Sequence, residues 1–474
     1  MDGWGTYLLL GLYTLTIVGV VLVIISENRN PLKSVPWLIV LTLAPVLGLV
    51  IYFFFGQNLS KRRSLSRRTR KQLNAYVAHS AQLEHPEVPE YLRPLEELLT
   101  DSGHAVPLYG SQLTIYDDGA SKFRALLEAI DEAKHHIHLL YYIIDNDEIG
   151  GRLRDALIRR AREGVEVRVL YDDVGSRAVR KGFFDKMEEA GVEVHEFLHV
   201  QFPRFTSKVN YRNHRKIVVI DGRIAFFGGM NIADRYYKGT PKLGPWRDYH
   251  FRIEGGGVVG LQFAFLNDWF STTRQRLTSV ERYYPPMTAI PTNNVLQILT
   301  SGPLGRWRTL QQAICLAISR AKRRIRIETP YYLPSETLNN ALQTAALAGI
   351  EVELMLPARS DSKWVDLAVH SYLDDMVRAG VKVLFYTAGF LHAKLLLIDE
   401  ELTIIGSANL DFRSFEHNFE INGFLYDRDF AARMHHLFDE DRSHCYHLTA
   451  AKWFRRSRLR RMGESVMRLF SPLL

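Results

Sequence analysis

HRKIVVIDGRIAFFGGMN, residues 214–231, decides how the rest of the chain is read, because HAKLLLIDEELTIIGSAN, residues 392–409, repeats it. In each copy a His is followed two residues on by a Lys and five after that by an Asp, then by six residues and Gly-x-x-Asn. The first copy supplies His214, Lys216, Asp221 and Asn231; the second supplies His392, Lys394, Asp399 and Asn409. The apolar run between Lys and Asp reads as a buried strand, and the residues after Asp as a turn into another strand. Side chains two apart on a strand share a face, so His and Lys point the same way. Strand stability gives no reason to place an imidazole and an ammonium there twice at one spacing. Each copy therefore offers an imidazole, an ammonium and a carboxamide able to converge on one oxyanion.

Outward from each copy the pattern of elements repeats as well. In the first half the periodicity predicts helices at 121–134, 150–163 and 181–190, with strands at 138–144, 165–171 and 192–197. In the second it predicts helices at 309–321, 337–348 and 365–379, with strands at 325–332, 350–356 and 381–386. Glu163-Gly-Val-Glu-Val is echoed by Ala348-Gly-Ile-Glu-Val, and Ala190-Gly-Val-Glu-Val by Ala379-Gly-Val-Lys-Val. Each Gly closes a helix ahead of a β-branched strand. Tyr141-Tyr142 falls where Tyr331-Tyr332 does. Such alternation predicts an α/β fold with helices layered on both faces of a sheet.

A chain of 474 residues has room for two core-bearing halves plus appendages. A formal charge of +8 and a pI near 9.2 imply an anionic partner. Seven Lys/Arg lie between Lys61 and Lys71 and seven more in the last 24 residues. Both clusters adjoin apolar segments, which favours anionic membrane lipid over nucleic acid. Cys315 and Cys445 alone do not make a disulfide framework and fit a reducing compartment. No group of Cys and His has zinc-ligand spacing; His135, His136 and His138 read as the polar entry of a strand rather than a metal site. No metal or cofactor is expected.

Residues 7–25 carry no charge, and about twenty helical residues at ~1.5 Å each cross the ~30 Å hydrocarbon core. A second uncharged run, 35–55, has room for Pro45 and Gly48 as a membrane helix does. A cleaved signal peptide is disfavoured: only Asp2 precedes the first run in charge, and no small-x-small site follows it. Residues 1–60 thus read as a transmembrane hairpin. Its connector holds Arg29 and Lys33, whereas the seven basic residues follow the second span, which places the catalytic part in the cytoplasm. Residues 61–104 form a basic connector of the kind attracted to anionic headgroups. In the tail, 446–474, Leu459, Met462, Val466, Leu469 and Leu473 recur at helical spacing with Arg458, Arg461, Glu464 and Arg468 between them. This reads as a basic amphipathic helix lying on a membrane, with packing against the protein's own surface as the alternative.

The doubled motif resembles the signature of the phospholipase D superfamily, HxK(x)4D(x)6GxxN in two copies. The two spans with Asn30-Pro31 and Pro36-Trp37 between them, and the Ser471-Pro472-Leu-Leu ending, resemble bacterial cardiolipin synthases. The resemblance implies two phospholipase D-like α/β/α halves, 105–290 and 291–445, related by a pseudo-twofold with the site at the seam. It also implies an inner-membrane enzyme that moves a phosphatidyl group from one phosphatidylglycerol to another, through a phosphohistidine on His214, with His392 as the acid. Asp248, in Trp246-Arg-Asp248-Tyr-His250, and Glu420, in Asn418-Phe-Glu420, would be the carboxylates that hydrogen-bond the imidazoles.

The residue chemistry stands beside that resemblance. Phosphodiester transfer needs a nucleophile and an acid, and two imidazoles with ordinary pKa near 6.5 suit both jobs, titrating as a coupled pair. Lys216 and Lys394 would stabilise the non-bridging oxygens, helped by the amides of Asn231 and Asn409. Asp221 and Asp399 belong to the motif, yet their strand-end position suits a structural role at least as well. Gly229 stands where the second copy has Ser407, so a hydroxyl is expected from one half only. Competing readings are a phospholipase D that hydrolyses lipid to phosphatidic acid and a nuclease, which has no use for the hairpin. A binding scaffold with dead motifs would show degenerate copies, and both copies here are complete. The second lipid substrate is left open, as is assembly into a homo-oligomer.

Overall fold

Lys216–Ile220 and Leu395–Ile398, the apolar centres of the two repeats, are buried strands, each in the middle of its own sheet. The first sheet runs Ser111–Tyr116, His250–Gly255, Ile224–Gly228, Lys216–Ile220, His136–Tyr141, Glu166–Asp172, Glu193–Phe197. The second repeats that order with Val295–Ser301, Asn418–Tyr426, Leu402–Gly406, Leu395–Ile398, Arg324–Glu328, Glu351–Pro357, Lys382–Tyr386. In both, the last three strands are parallel and the rest antiparallel. Two edge strands extend the second sheet: Cys445–His447 at one side and Pro107–Tyr109 at the other, the latter drawn from the segment that precedes the first sheet.

The computed structural model describes residues 3–26, 31–44, 47–49, 52, 86–179, 181–198, 210–277, 280–286 and 290–473. The basic run 61–71, and the connector as far as residue 85, lie outside the described residues, as does most of the second apolar run beyond residue 44. Two units are distinct: Met1–Lys61 with Val200–Asn210, and a larger body of Arg62–His199 with Tyr211–Leu474.

The body is layered. Helices Gly119–Asp131 and Glu148–Arg162 cover one face of the first sheet through Phe123, Leu126, Ile149 and Leu153. Helices Thr309–Arg320, Glu336–Leu347 and Lys363–Ala379 cover one face of the second. The remaining faces share a central core with helices Gly257–Thr273 and Arg428–Ser443, where Phe227, Phe265, Trp269, Leu397 and Phe438 are fully buried. Strands that are apolar on both sides are what such double coverage requires. Asp118, Asp147, Ser335, Ser362, Asp427 and Ser457 cap their helices by accepting from a backbone N–H in the first turn.

The strand expected at 138–144 instead spans His136–Tyr141. His136 and His138 are buried strand residues, His138 bonded to Gln262 at 2.8 Å and stacked on Phe265. Polarity suggested an entry segment; partners inside the core override it.

In the smaller unit, helices Gly3–Ser26 and Pro31–Leu43 bring Ile24, Leu41 and Tyr52 into one apolar cluster, with Trp37 edge-on to Tyr52. Trp4, Tyr7, Leu12, Leu15, Val18 and Leu22 are exposed along the first helix. Taken over the described residues alone, no helix is long and apolar enough to cross a membrane.

Helix Arg458–Leu469 packs on Lys363–Ala379 chiefly through polar side chains, with Met467 the apolar residue set against the core. Glu464 is buried between Arg456 and Arg460, Arg456 also meets Asp374, and Arg468 lies over the Tyr372 ring.

Candidate active site

Two parallel pairings, only two residues long, build the site. Arg212–Asn213 pairs with Asn418–Phe419, and Phe390–Leu391 pairs with Trp246–Arg247. Each continues by one hydrogen bond into a motif histidine: the His214 N–H donates to the Phe419 carbonyl at 2.9 Å, and the His392 N–H to the Arg247 carbonyl at 2.7 Å. The next residue on each partner segment is a carboxylate. Glu420 is thereby set against His214 and Asp248 against His392, so the acids are exchanged between the halves. His214 Nδ1 lies 3.0 and 3.1 Å from the Glu420 oxygens, and His392 Nδ1 lies 2.6 Å from Asp248 Oδ2.

His214, Asn231, His392 and Asn409 line one cavity of about 350 Å³. Lys216, Lys394, Asp248 and Glu420 are buried with the two imidazoles they serve. Lys216 Nζ donates to the His214 carbonyl at 2.6 Å. Lys394 Nζ stands 2.6 Å from His392 Nδ1 and 3.6 Å from Asp248. The Ser407 hydroxyl donates to Glu420 at 2.5 Å, and the Asn418 amide does so at 3.1 Å. Gly229, at the matching place in the first copy, cannot be a serine: a Cβ there would sit 2.1 Å from an Asp248 oxygen.

Burial sets the electrostatics. It pushes the His214 imidazolium below its ordinary range, with Glu420 pulling the other way. Burial and the neighbouring Lys394 charge press His392 down to about 3. The lysines fall from 10.5, Lys216 to about 7 and Lys394 to about 8, again chiefly through burial. Burial alone would raise Glu420, but the charges of His214 and Lys216 and the Ser407 hydrogen bond hold it at about 2. Glu420 is therefore a firm anion that accepts the His214 Nδ1 proton, so that once His214 sheds its second proton Nε2 carries the lone pair.

Asp221 and Asp399 are not among the residues brought to the cavity. Each closes the far end of its motif strand in the left-handed region, at φ 54° and 51°. Asp221 accepts from the backbone N–H groups of Lys134, His135 and His136, and Asp399 from those of Lys322, Arg323 and Arg324. They fasten the strand beside the motif. Asn231 accepts from the Ile143 N–H and donates to the Tyr236 hydroxyl; Asn409 donates to Asp411, and its carbonyl oxygen has no partner among the described residues.

Other cavity residues escaped the sequence reading. Tyr142 lies edge-on to His214 at 4.9 Å between ring centres, and Trp246 tilts against His392 at 5.3 Å. Arg212, Arg235, Arg413 and Tyr331 also line the wall. The Tyr141-Tyr142 and Tyr331-Tyr332 echo was the available signal: Tyr142 and Tyr331 both line the cavity, while the Tyr141 and Tyr332 side chains are buried in the core.

A family model described as cardiolipin synthase, PLD-like domain, matches residues 126–240 and 314–442. A second, phospholipase D-nuclease N-terminal, matches 14–57. The chain is 40% identical over 473 residues to the major cardiolipin synthase ClsA of Bacillus subtilis (strain 168), covering 98% of both chains. It is 38% identical over 481 residues to a cardiolipin synthase of Oceanobacillus iheyensis, covering 99% of both. Among solved structures, phosphatidylserine synthase of Haemophilus influenzae Rd KW20 superposes with a TM-score of 0.62 at 16% identity, covering 80% of this chain and 98% of that one; this likeness concerns the fold alone.

Proposed function

This chain belongs to the cardiolipin synthase family of phospholipase D-like proteins, and from that premise we propose that it transfers a phosphatidyl group from one phosphatidylglycerol to another, giving cardiolipin and glycerol. One observation carries the reading: two imidazoles, each held by the other half's carboxylate, open onto a single cavity flanked by two buried lysines.

His214 is the nucleophile. Its Nδ1 proton is committed to Glu420, so Nε2 attacks phosphorus, forming a P–N bond as the bond to the glycerol oxygen breaks. His392 gives that oxygen its proton, and Lys394 beside it is the nearest proton reserve. The bound phosphodiester's charge is what lets His392 hold a proton against its low free-site affinity. The hydroxyl of a second phosphatidylglycerol then gives its proton to neutral His392 and attacks phosphorus, and the P–N bond breaks. Lys216 and Lys394 offset charge on the non-bridging oxygens, with Asn231 and Asn409 as neutral donors. The apolar side chains exposed along Gly3–Ser26, together with the uncharged runs 7–25 and 35–55, support anchorage of the enzyme in the bacterial inner membrane, with this body in the cytoplasm.

Purified protein supplied with defined phosphatidylglycerol species should yield cardiolipin and free glycerol by mass spectrometry. Phosphatidic acid as the main product would overturn transfer in favour of hydrolysis.

A further inference from the structure

Helix Arg458–Leu469 is docked inside out. Glu464 faces inward at 2% exposure, and Arg460 and Arg468 flank it one turn either side. At ~100° per residue, Met462 and Val466 each lie about 200° from Glu464, on the opposite side of the helix. Leu459 (74% exposed), Met462 (60%), Val466 (48%) and Leu469 (78%) thus form a continuous outward apolar stripe, which Phe470 prolongs. A surface helix ordinarily buries such a stripe against its own body. Here charged side chains, with Met467 alone of the apolar ones, make that contact, and the stripe is left facing out.

Two further observations say what covers it. The stripe is bordered by basic charge: Lys452, Arg455 and Arg458 are exposed at its leading end. It also leads to the cavity. Beyond Phe470 the chain turns through Ser471–Leu473 onto helix Phe412–Glu416, whose Arg413 lines the cavity wall. The helix underneath, Lys363–Ala379, starts beside cavity residues Ser362 and Val365 and exposes Trp364 at 64%. An apolar stripe rimmed by cations matches an anionic phospholipid interface. We propose that this stripe docks on the anionic bilayer next to the cavity mouth, so that a lipid presents its headgroup to the histidines without leaving the membrane. The inference rests on the lipid-transfer reading above.

The test uses the full chain in proteoliposomes containing phosphatidylglycerol. The variant Leu459→Gln, Met462→Gln, Val466→Gln, Leu469→Gln should lose about tenfold or more of its rate on bilayer lipid. On a monomeric short-chain phosphatidylglycerol it should stay within about twofold of wild type, because the cavity is untouched. Independently, an environment-sensitive fluorophore on Val466→Cys, with Cys315 and Cys445 replaced by Ala, should shift to the blue and be quenched by lipids carrying shallow spin labels. Equal rates on bilayer lipid for variant and wild type, or a label that stays in water, would overturn the proposal. So would a blue shift that depends on protein concentration and persists without lipid, which would mark a second copy as the occupant. Should the fourfold variant not fold, the single-site label decides. If no form turns over either lipid while the label is membrane-buried, the transfer reading fails and the docking stands.

Discussion

The two motif copies share every key residue type yet differ in how they hold charge. In the first, Glu420 is satisfied by His214, Ser407 and Asn418, while Lys216, like Lys394, donates to the carbonyl of its own motif histidine. In the second, Asp248 faces His392 and Lys394 together, and Gly229 offers no hydroxyl. The first arrangement sets against one ring a carboxylate already held by a hydroxyl and an amide. The second packs an ammonium against an imidazole, which suits proton delivery. Near-identical sequence thus gives the two histidines different neighbours.

Several changes test that contrast. His214→Ala and His392→Ala should each lower turnover on the order of 10⁴-fold or more, with folding retained by circular dichroism. A covalent phosphatidyl adduct trapped from His392→Ala but never from His214→Ala would fix the nucleophile, and the reverse would invert the comparison. Glu420→Gln and Asp248→Asn should cost on the order of 10²–10⁴-fold, because each removes the carboxylate that sets a ring's tautomer. Asp248→Asn should be the worse of the two, since it also strands Lys394.

Replacing the residue where the copies differ gives smaller effects. Ser407→Ala removes one hydrogen bond to an anion and should slow turnover about tenfold. Gly229→Ala should cost more, since its Cβ meets the Asp248 carboxylate at 2.1 Å. Similar losses for both would mean that the crowding around Asp248 is relieved at no cost.

The lysines give a pH signature. Both ammoniums lie below the ordinary 10.5, so each is charged at low pH and loses its proton as pH rises through about 7 for Lys216 and about 8 for Lys394. The kcat/KM profile of the free enzyme should therefore fall on its alkaline side across that window. Lys216→Arg, which cannot deprotonate there, should move the fall upward, whereas Lys394→Arg should leave its lower edge in place. The mildest effect on catalysis belongs to Asp221→Asn and Asp399→Asn. Each should cost about 1–3 kcal/mol of stability by weakening three backbone hydrogen bonds, seen as a lower Tm, with turnover per folded molecule little changed.

Most of the fold was legible because its determinants are local. Runs such as Ile217-Val-Val-Ile220 must be covered on both faces, and Gly-terminated helices alternate with them, so layers and duplication follow from periodicity. The motif residues were legible because identical spacing occurs twice. The exchange of acids was not, since it depends on pairings of two residues between segments far apart in sequence, too short to leave a pattern. Nor could Arg413 or Trp246 be picked out: one sits in a five-residue helix and the other in a two-residue strand, elements too short to leave a pattern. The tail helix shows the converse limit. Its two stripes were plain in the sequence, but which one faces the body depends on the acidic partner Asp374 in a distant helix.

The swapped carboxylates carry an evolutionary corollary. A lesion at residue 248 is registered at histidine 392, and one at residue 420 at histidine 214, so neither duplicate can decay while its twin is spared. The two segments therefore stand or fail as one unit.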